Sequence, residues 1–237
     1  MAGGQGPALE PKGVGRMFDP VAPWYDAMNE RMSLGLHRVW RRRTAAALPA
    51  GGRVLDLATG TADLAIALAR RGCTVVGVDL SAGMLALGRR KVGQAGLAQA
   101  ITLLQGDVLA LALPAGSFDA ASNAFLLRNL ADMRPALAEM ARVVRPGGRL
   151  ACLEIAYPQF APWRALFRLY FDHIVPWLGR RLTGAGPAYR YLPASLERFP
   201  PPAEVLAALA DTGWAAGRPC RLFPGTVVLY TAVRAAS

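Results

Sequence analysis

Histidine and cysteine are scarce, with two of the first (His37, His173) and three of the second (Cys73, Cys152, Cys220) in 237 residues. The cysteines lie far apart without a C-x-x-C pair. That argues against a disulfide framework or a cysteine metal site and favours free thiols in a reducing cytoplasm. With so few imidazoles, no metal is expected. No run reaches the roughly 18 apolar residues that a membrane-spanning helix needs. The leading stretch MAGGQGPALEPKGVGR lacks the apolar core of a signal peptide. Residues 1–16 read as a flexible arm ahead of one domain over 17–237. Acidic residues are also few, 16 against 27 Lys and Arg, for a net charge of +11. Such an excess suits an anionic partner, yet arginine-rich composition accounts for it equally. No aromatic-interleaved basic patch or appended RNA-binding module is visible, so nucleic acid is not expected as a partner.

What the chain does hold is alternation. Short β-like runs at 53–58, 74–79, 100–107, 118–125 and 149–156 are separated by helical patterns. Two closing strands are expected near 217–222 and 226–233. Ser33, Ser81 and Asp132 are candidate helix N-caps, and Gly147 a stop. This order implies an α/β fold: a doubly wound, mostly parallel, seven-stranded, Rossmann-like sheet with helices on both faces. Ligands in such sheets bind at the carboxyl ends of the strands, beside the point where strand order reverses. Residues 157–200 break the pattern and read as a helical insertion. Its stripe of Trp163, Leu166, Phe167, Tyr170, Phe171, Ile174, Trp177 and Leu178 is expected to face the core, with part of it lining an apolar channel.

The run VLDLATGTADLAIAL (54–68) is a strand, an elbow and a helix with a single glycine, Gly60. A dinucleotide fingerprint needs three glycines, and a Walker loop needs a GK[ST] that is absent. An acidic residue, Asp56, ends the strand, and Gly60, Thr61 and Ala62 turn into the helix. The pattern suits a ligand without phosphates. Asp79, closing the second strand, can accept from ribose hydroxyls. Asp107 follows the third strand, where a carboxylate can accept from an exocyclic amine. RPGGRL (145–150) supplies a tight turn. Jointly, the set matches the class I S-adenosylmethionine (SAM)-dependent methyltransferase pattern.

Three blocks then carry a closer likeness. MFDPVAPWYDAMNERMSLGLHRVWRRR (17–43), FLLRNLADMRPALAEMARVVRPGGRLACLE (125–154) and AYRYLPASLERFP (188–200) resemble, in this order, the ubiquinone/menaquinone biosynthesis C-methyltransferase family. The resemblance implies methyl transfer from SAM to a ring carbon of a polyprenylated quinol. The GTAD form of the elbow is more similar to menaquinone-pathway members, which makes demethylmenaquinol the expected substrate.

Carried over, the resemblance implies cofactor contacts from Asp56, Gly60, Thr61, Asp79, Asp107, Val108 and Ala124. Arg128 and Asn129 would orient the quinol oxygen or a water that takes its proton. Arginine stays protonated, so Arg128 would stabilise charge rather than act as base. Tyr25, His173, Tyr189 and Tyr191 match family positions near substrate, although packing suits each as well. Two departures stand out, Ala124 for a frequent serine and Leu126 for a frequent glycine. They keep open a non-catalytic scaffold subunit; a SAM-dependent O- or N-methyltransferase of another small molecule is the nearest rival, and the YRYLPASLERFP block argues against it. Arg41–Arg43 and Arg180–Arg181 suit contact with an anionic membrane or simple solvation. A homodimer is compatible with this reading.

Overall fold

Strand β1 (Arg53–Leu57) buries Val54, Leu55 and Leu57 almost completely. Consecutive strand residues point to opposite faces, so this sheet is covered on both sides. The computed structural model describes residues 22–183 and 186–236, with side chains given outside 182–190. The arm expected over 1–16 lies outside the described residues. Beside β1 stand β2 (Thr74–Asp79), β3 (Ile101–Gln105), β4 (Phe118–Ala124), β5 (Val144–Ile155), β6 (Trp214–Leu222) and β7 (Val227–Arg234). The order is β3-β2-β1-β4-β5-β7-β6, with β7 antiparallel to both its neighbours. The doubly wound, mostly parallel seven-stranded sheet expected from the sequence is the sheet that forms.

Alternating residues divide the core in two. Val54, Val75, Ala120 and Leu153 pack under α2 (Leu36–Ala46), α3 (Asp63–Ala69) and α4 (Ala82–Gln94). Leu55, Val76, Ala121 and Leu150 pack under α5 (Arg134–Val143) and α9 (Pro202–Asp211). A third cluster joins Met28 of α1 (Ala22–Ser33) to Phe167 of α6 (Ala161–Leu169) and Leu196 of α8 (Gly186–Arg198). A π-turn, Tyr170–Ile174, runs from α6 into α7 (Val175–Thr183), making one continuous helical rod.

Local chemistry places most boundaries. Ser81 caps α4 as expected, accepting from Met84 N at 3.0 Å. Asp132 stands one residue ahead of the Met133 cap position and accepts from Arg134 N at 2.9 Å. Ser33 ends α1 and Gly35, at a left-handed φ of 79°, takes the N-cap position of α2, but the Ser33 hydroxyl still accepts from His37 N at 3.2 Å in the first turn of α2. Gly147 does not stop a helix. Helix α5 runs straight into β5, and Gly147 and Gly148 sit in a bulge between the pairs Phe118–Val144 and Ala120–Arg149. The aromatic stripe splits between two faces. Phe167 and Phe171 are buried, whereas Leu166, Leu169, Ile174 and Trp177 are about half exposed, at 45–56%.

The bulge fixes a first prediction. A β-carbon on Gly148 would overlap Val144 Cγ1 and lie 2.7 Å from the carbonyl oxygen of Asp119. Gly148→Ala is therefore expected to destabilise the fold by about 1–3 kcal/mol, measured by chemical denaturation. A second concerns Asp56, whose carboxyl is carried by burial up to about 6 against the hydrogen bonds of Ser122 and Thr59. A raised carboxylate favours the fold while protonated, and that advantage is lost as pH rises through 6. At about 1.4 kcal/mol per pH unit the effect is capped at about 3 kcal/mol. The stability of the parent relative to Asp56→Asn should fall between pH 4 and pH 7 by up to that amount in denaturant titrations.

Candidate active site

Two backbone strains flank the point where strand order reverses. In the elbow after β1, Ala58, Gly60 and Ala62 all take positive φ, at 50°, 54° and 67°. After β4, Phe125 does the same at 67°. Non-glycine residues held this way cost about 1–3 kcal/mol each and gather at functional sites. Between the two lies a cavity of about 540 Å³ at the carboxyl edge of the sheet. That volume lies within the range of small-molecule sites. One half is walled by Gly60, Asp79, Met84, Val108 and Ala124. The other is walled by Met28, Phe125, Phe167, Phe171 and Leu178, with Arg128 and Asn129 between.

In the first half, Asp79 organises backbone. Its carboxylate accepts from Gly60 N at 2.8 Å and from Ser81 N at 2.9 Å. Asp79 itself lines the cavity, at the strand end where a carboxylate meets ribose hydroxyls in such sheets. Above Gly60 a β-carbon would meet nothing within 4 Å, so the backbone there lies open. Val108 and Met84 are buried and apolar. An open backbone turn, an acceptor at the end of β2 and an apolar slot fit the ribose and base of SAM.

The other expected contacts are placed differently. Asp56 is buried away from the larger cavity and accepts from Thr59 Oγ1 and Ser122 Oγ, both at 2.7 Å. It braces the elbow against β4. Asp107 accepts from Leu109 N at 2.9 Å and turns the chain that presents Val108. Thr61 donates to Asp26 at 2.7 Å and accepts from Lys91 Nζ at 3.0 Å. Lys91 also reaches Asp26 at 2.7 Å and Asp63 at 2.5 Å. Burial alone would raise the Asp63 carboxyl, but Lys91 and Arg41 outweigh it and hold it low. These bonds clasp α1, and with it Tyr25 and Met28, over the cavity. The clasp has no signature in the sequence, because Asp26, Thr61 and Lys91 are far apart along the chain.

In the second half, the short turn Leu127–Asn129 follows Phe125. Arg128 Nη1 donates to Phe125 O and to Glu154 Oε2, both at 3.0 Å. Glu154, at the end of β5 and with no solvent exposure, also accepts from Leu127 N at 2.6 Å. Burial pushes the Glu154 carboxyl up, against the opposing pull of Arg128. Asn129 Nδ2 donates to Phe125 O at 3.0 Å. Three polar atoms on the cavity's lining residues are buried without a partner: Arg128 Nε, Asn129 Oδ1 and Asn29 Nδ2. Sequence reading missed Glu154 and Asn29. An acidic residue in a strand flanked by apolar neighbours was the available signal, since a buried charge demands a partner.

The remaining expectations divide. Tyr25 lines the cavity. Tyr191, on α8, is half-buried within electrostatic reach of Arg128 and Glu154. His173 is exposed on the outer side of the rod and does not line the cavity; Tyr170 and Phe171 do so from the same turn. The π-turn rotates His173 outward, so its reading as a substrate contact is corrected. The side chain of Tyr189 lies outside the described residues. Leu126 is buried against the cavity and narrows it, as the sequence departure implied.

This geometry agrees with comparison to known proteins. The chain is 45% identical over 202 residues to a demethylmenaquinone methyltransferase of Thermus thermophilus, covering 84% of this chain and 91% of that protein. A demethylmenaquinone methyltransferase of Beutenbergia cavernae is 39% identical over 230 residues, covering 96% and 93%. Among solved structures, a SAM-dependent methyltransferase of Thermotoga maritima superimposes with a TM-score of 0.66 at 18% identity, covering 93% and 99%. The [4+2]-cyclase SpnF does so at 0.65 and 17% identity, covering 100% of both chains. At such identities these two speak for the fold alone. The model of the ubiE/COQ5 methyltransferase family matches residues 8–234, and the chain belongs to that family.

Proposed function

We propose that this protein methylates a ring carbon of a polyprenylated quinol with SAM, with demethylmenaquinol as its substrate. One observation carries the reading. Arg128, Asn29 and Asn129 line an otherwise apolar half-cavity, and each carries a buried polar atom with no partner among the described residues: the donors Arg128 Nε and Asn29 Nδ2 and the acceptor Asn129 Oδ1. A hydroquinone hydroxyl needs one acceptor for its proton and donors for its oxygen. The apolar walls suit the ring and the first isoprene units, at about 0.8 kcal/mol for each buried CH₂.

When bound, SAM supplies an electrophilic methyl group on a sulfonium. The residues beside it do the rest by position. Asn129 orients the hydroxyl, and Arg128 stabilises the negative charge that grows on its oxygen as the ring carbon becomes nucleophilic. Alignment of two reactants is worth about 7–11 kcal/mol. The clasp of Asp26, Thr61 and Lys91 holds α1 over the cavity. No described side chain in the cavity is an unpaired base, so the hydroxyl proton passes to water as the ring carbon attacks. The proton then lost from the methylated carbon restores the hydroxyl, and one proton leaves to solvent in all.

We also propose that the enzyme works against an anionic membrane face. Among the described residues no helix is long and apolar enough to cross a membrane. The outer side of the α6–α7 rod nevertheless exposes Leu166, Leu169, Ile174 and Trp177, with Arg181 stacked 5.7 Å from the Trp177 ring. Its inner side walls the apolar half of the cavity.

Two measurements check these readings. With reduced demethylmenaquinone and labelled SAM, Arg128→Gln and Asn129→Ala should each lower kcat by about 10²-fold or more, with calorimetric SAM affinity unchanged. Full turnover in either variant contradicts its role. In flotation assays, vesicles containing phosphatidylglycerol should bind the protein at low salt. Leu166→Ser/Trp177→Ser should weaken that binding by about tenfold or more; equal binding by both forms excludes this face.

A further inference from the structure

Within the Arg128 reading above, one residue remains without a role. Glu154 is fully buried at the end of β5, between the apolar Leu153 and Ile155. Its nearest partners belong to the turn at the cavity floor, and both its oxygens are engaged by that turn, from Leu127 N and Arg128 Nη1. A second acceptor, Phe125 O, holds the same Nη1. The consequence is geometric. Nη1 is tied on the protein side, and Nε is left buried and unpartnered on a residue that lines the cavity. The guanidinium is planar, so fixing one nitrogen from two directions fixes the direction of the others.

We propose that Glu154 is the positioning residue of the methyl-transfer site: it holds the Arg128 guanidinium at the cavity wall beside the substrate oxygen and neutralises its charge until that oxygen ionises. Glu154 does not line the cavity and does not touch substrate. Without it, Arg128 would keep Phe125 O as its one anchor in the turn and would carry an uncompensated positive charge beside the hydroxyl. The first effect lowers kcat. The second makes ionisation of the bound hydroxyl easier, so the rising limb of the pH–rate profile moves to lower pH. The other titratable groups facing this pair are Tyr191 and Arg198 of α8, Tyr230 of β7, Cys152 of β5 and Arg221 of β6. None of them bonds both the turn and the guanidinium.

The test is a double-variant cycle on the full chain with SAM and reduced demethylmenaquinone. Glu154→Gln keeps an acceptor for Leu127 N and removes the charge together with the second acceptor, the one that holds Arg128 Nη1. It should lower kcat by about tenfold or more, with the SAM Kd and quinol KM each within about threefold of the parent. The rising pH limb should move down by about half a unit or more. In an Arg128→Gln background the same substitution should cost no further activity, because Glu154 acts through Arg128. If Glu154→Gln alone does not fold, the paired variant, with both charges removed, still reports: activity equal to Arg128→Gln supports the inference, and a further loss overturns it. A Glu154→Gln enzyme with kcat within about threefold of the parent, or with an unmoved pH limb, also overturns it. Parental turnover in Arg128→Gln would defeat the Arg128 reading and this inference with it. An inactive Arg128→Gln beside an active Glu154→Gln would defeat this inference alone.

Discussion

The Asp56 carboxylate bonds the hydroxyls of Thr59 and Ser122 at once, and the carboxyl edge of the sheet depends on that junction. Strands β1 and β4 are neighbours, but the chain leaves them toward opposite faces. The crevice between them exists only while the elbow after β1 stays bent, with three successive alternate residues at positive φ. Burying a carboxylate there is costly, as its raised titration shows. The cost is offset because one group fixes both walls of the crevice. Asp79 repeats the arrangement one strand away, tying Gly60 to the start of α4. The cofactor half of the cavity is thus built from backbone held by two carboxylates.

The substrate half follows the same logic with different material. A second strained residue, Phe125, turns the chain after β4, and its carbonyl collects Arg128 and Asn129. The helical insertion closes the cavity with apolar side chains and leaves three polar atoms unsatisfied. Leaving them so costs stability, since buried polar groups are ordinarily paired. The cost makes sense where a ligand supplies the partners. A fold of this kind does not dictate chemistry by itself; the turn after β4 is where the proposed reaction would be specified.

Much of this was legible in the residues because it is local. Continuous apolar runs report buried parallel strands, and Ser81 reports a cap. A missing pair of glycines in the elbow correctly pointed away from phosphate. What stayed hidden is what the fold brings together from afar. The Glu154–Arg128 pair spans 26 residues and the Lys91–Asp26 pair 65, and neither follows from periodicity. The aromatic stripe looked like one core face because a uniform helical period was assumed. A single π-turn shifted the phase, sent His173 outward and left both a cavity wall and an exposed ridge.

The central claim is that a carbon of the quinol ring, not one of its oxygens, receives the methyl group. The most direct measurement is the structure of the product formed from reduced demethylmenaquinone and ¹³C-methyl SAM, read by NMR. The account predicts a labelled methyl on the ring carbon beside the hydroxyl and no methoxy signal. A labelled methoxy group, or no labelled product from any demethylated quinol, would contradict it.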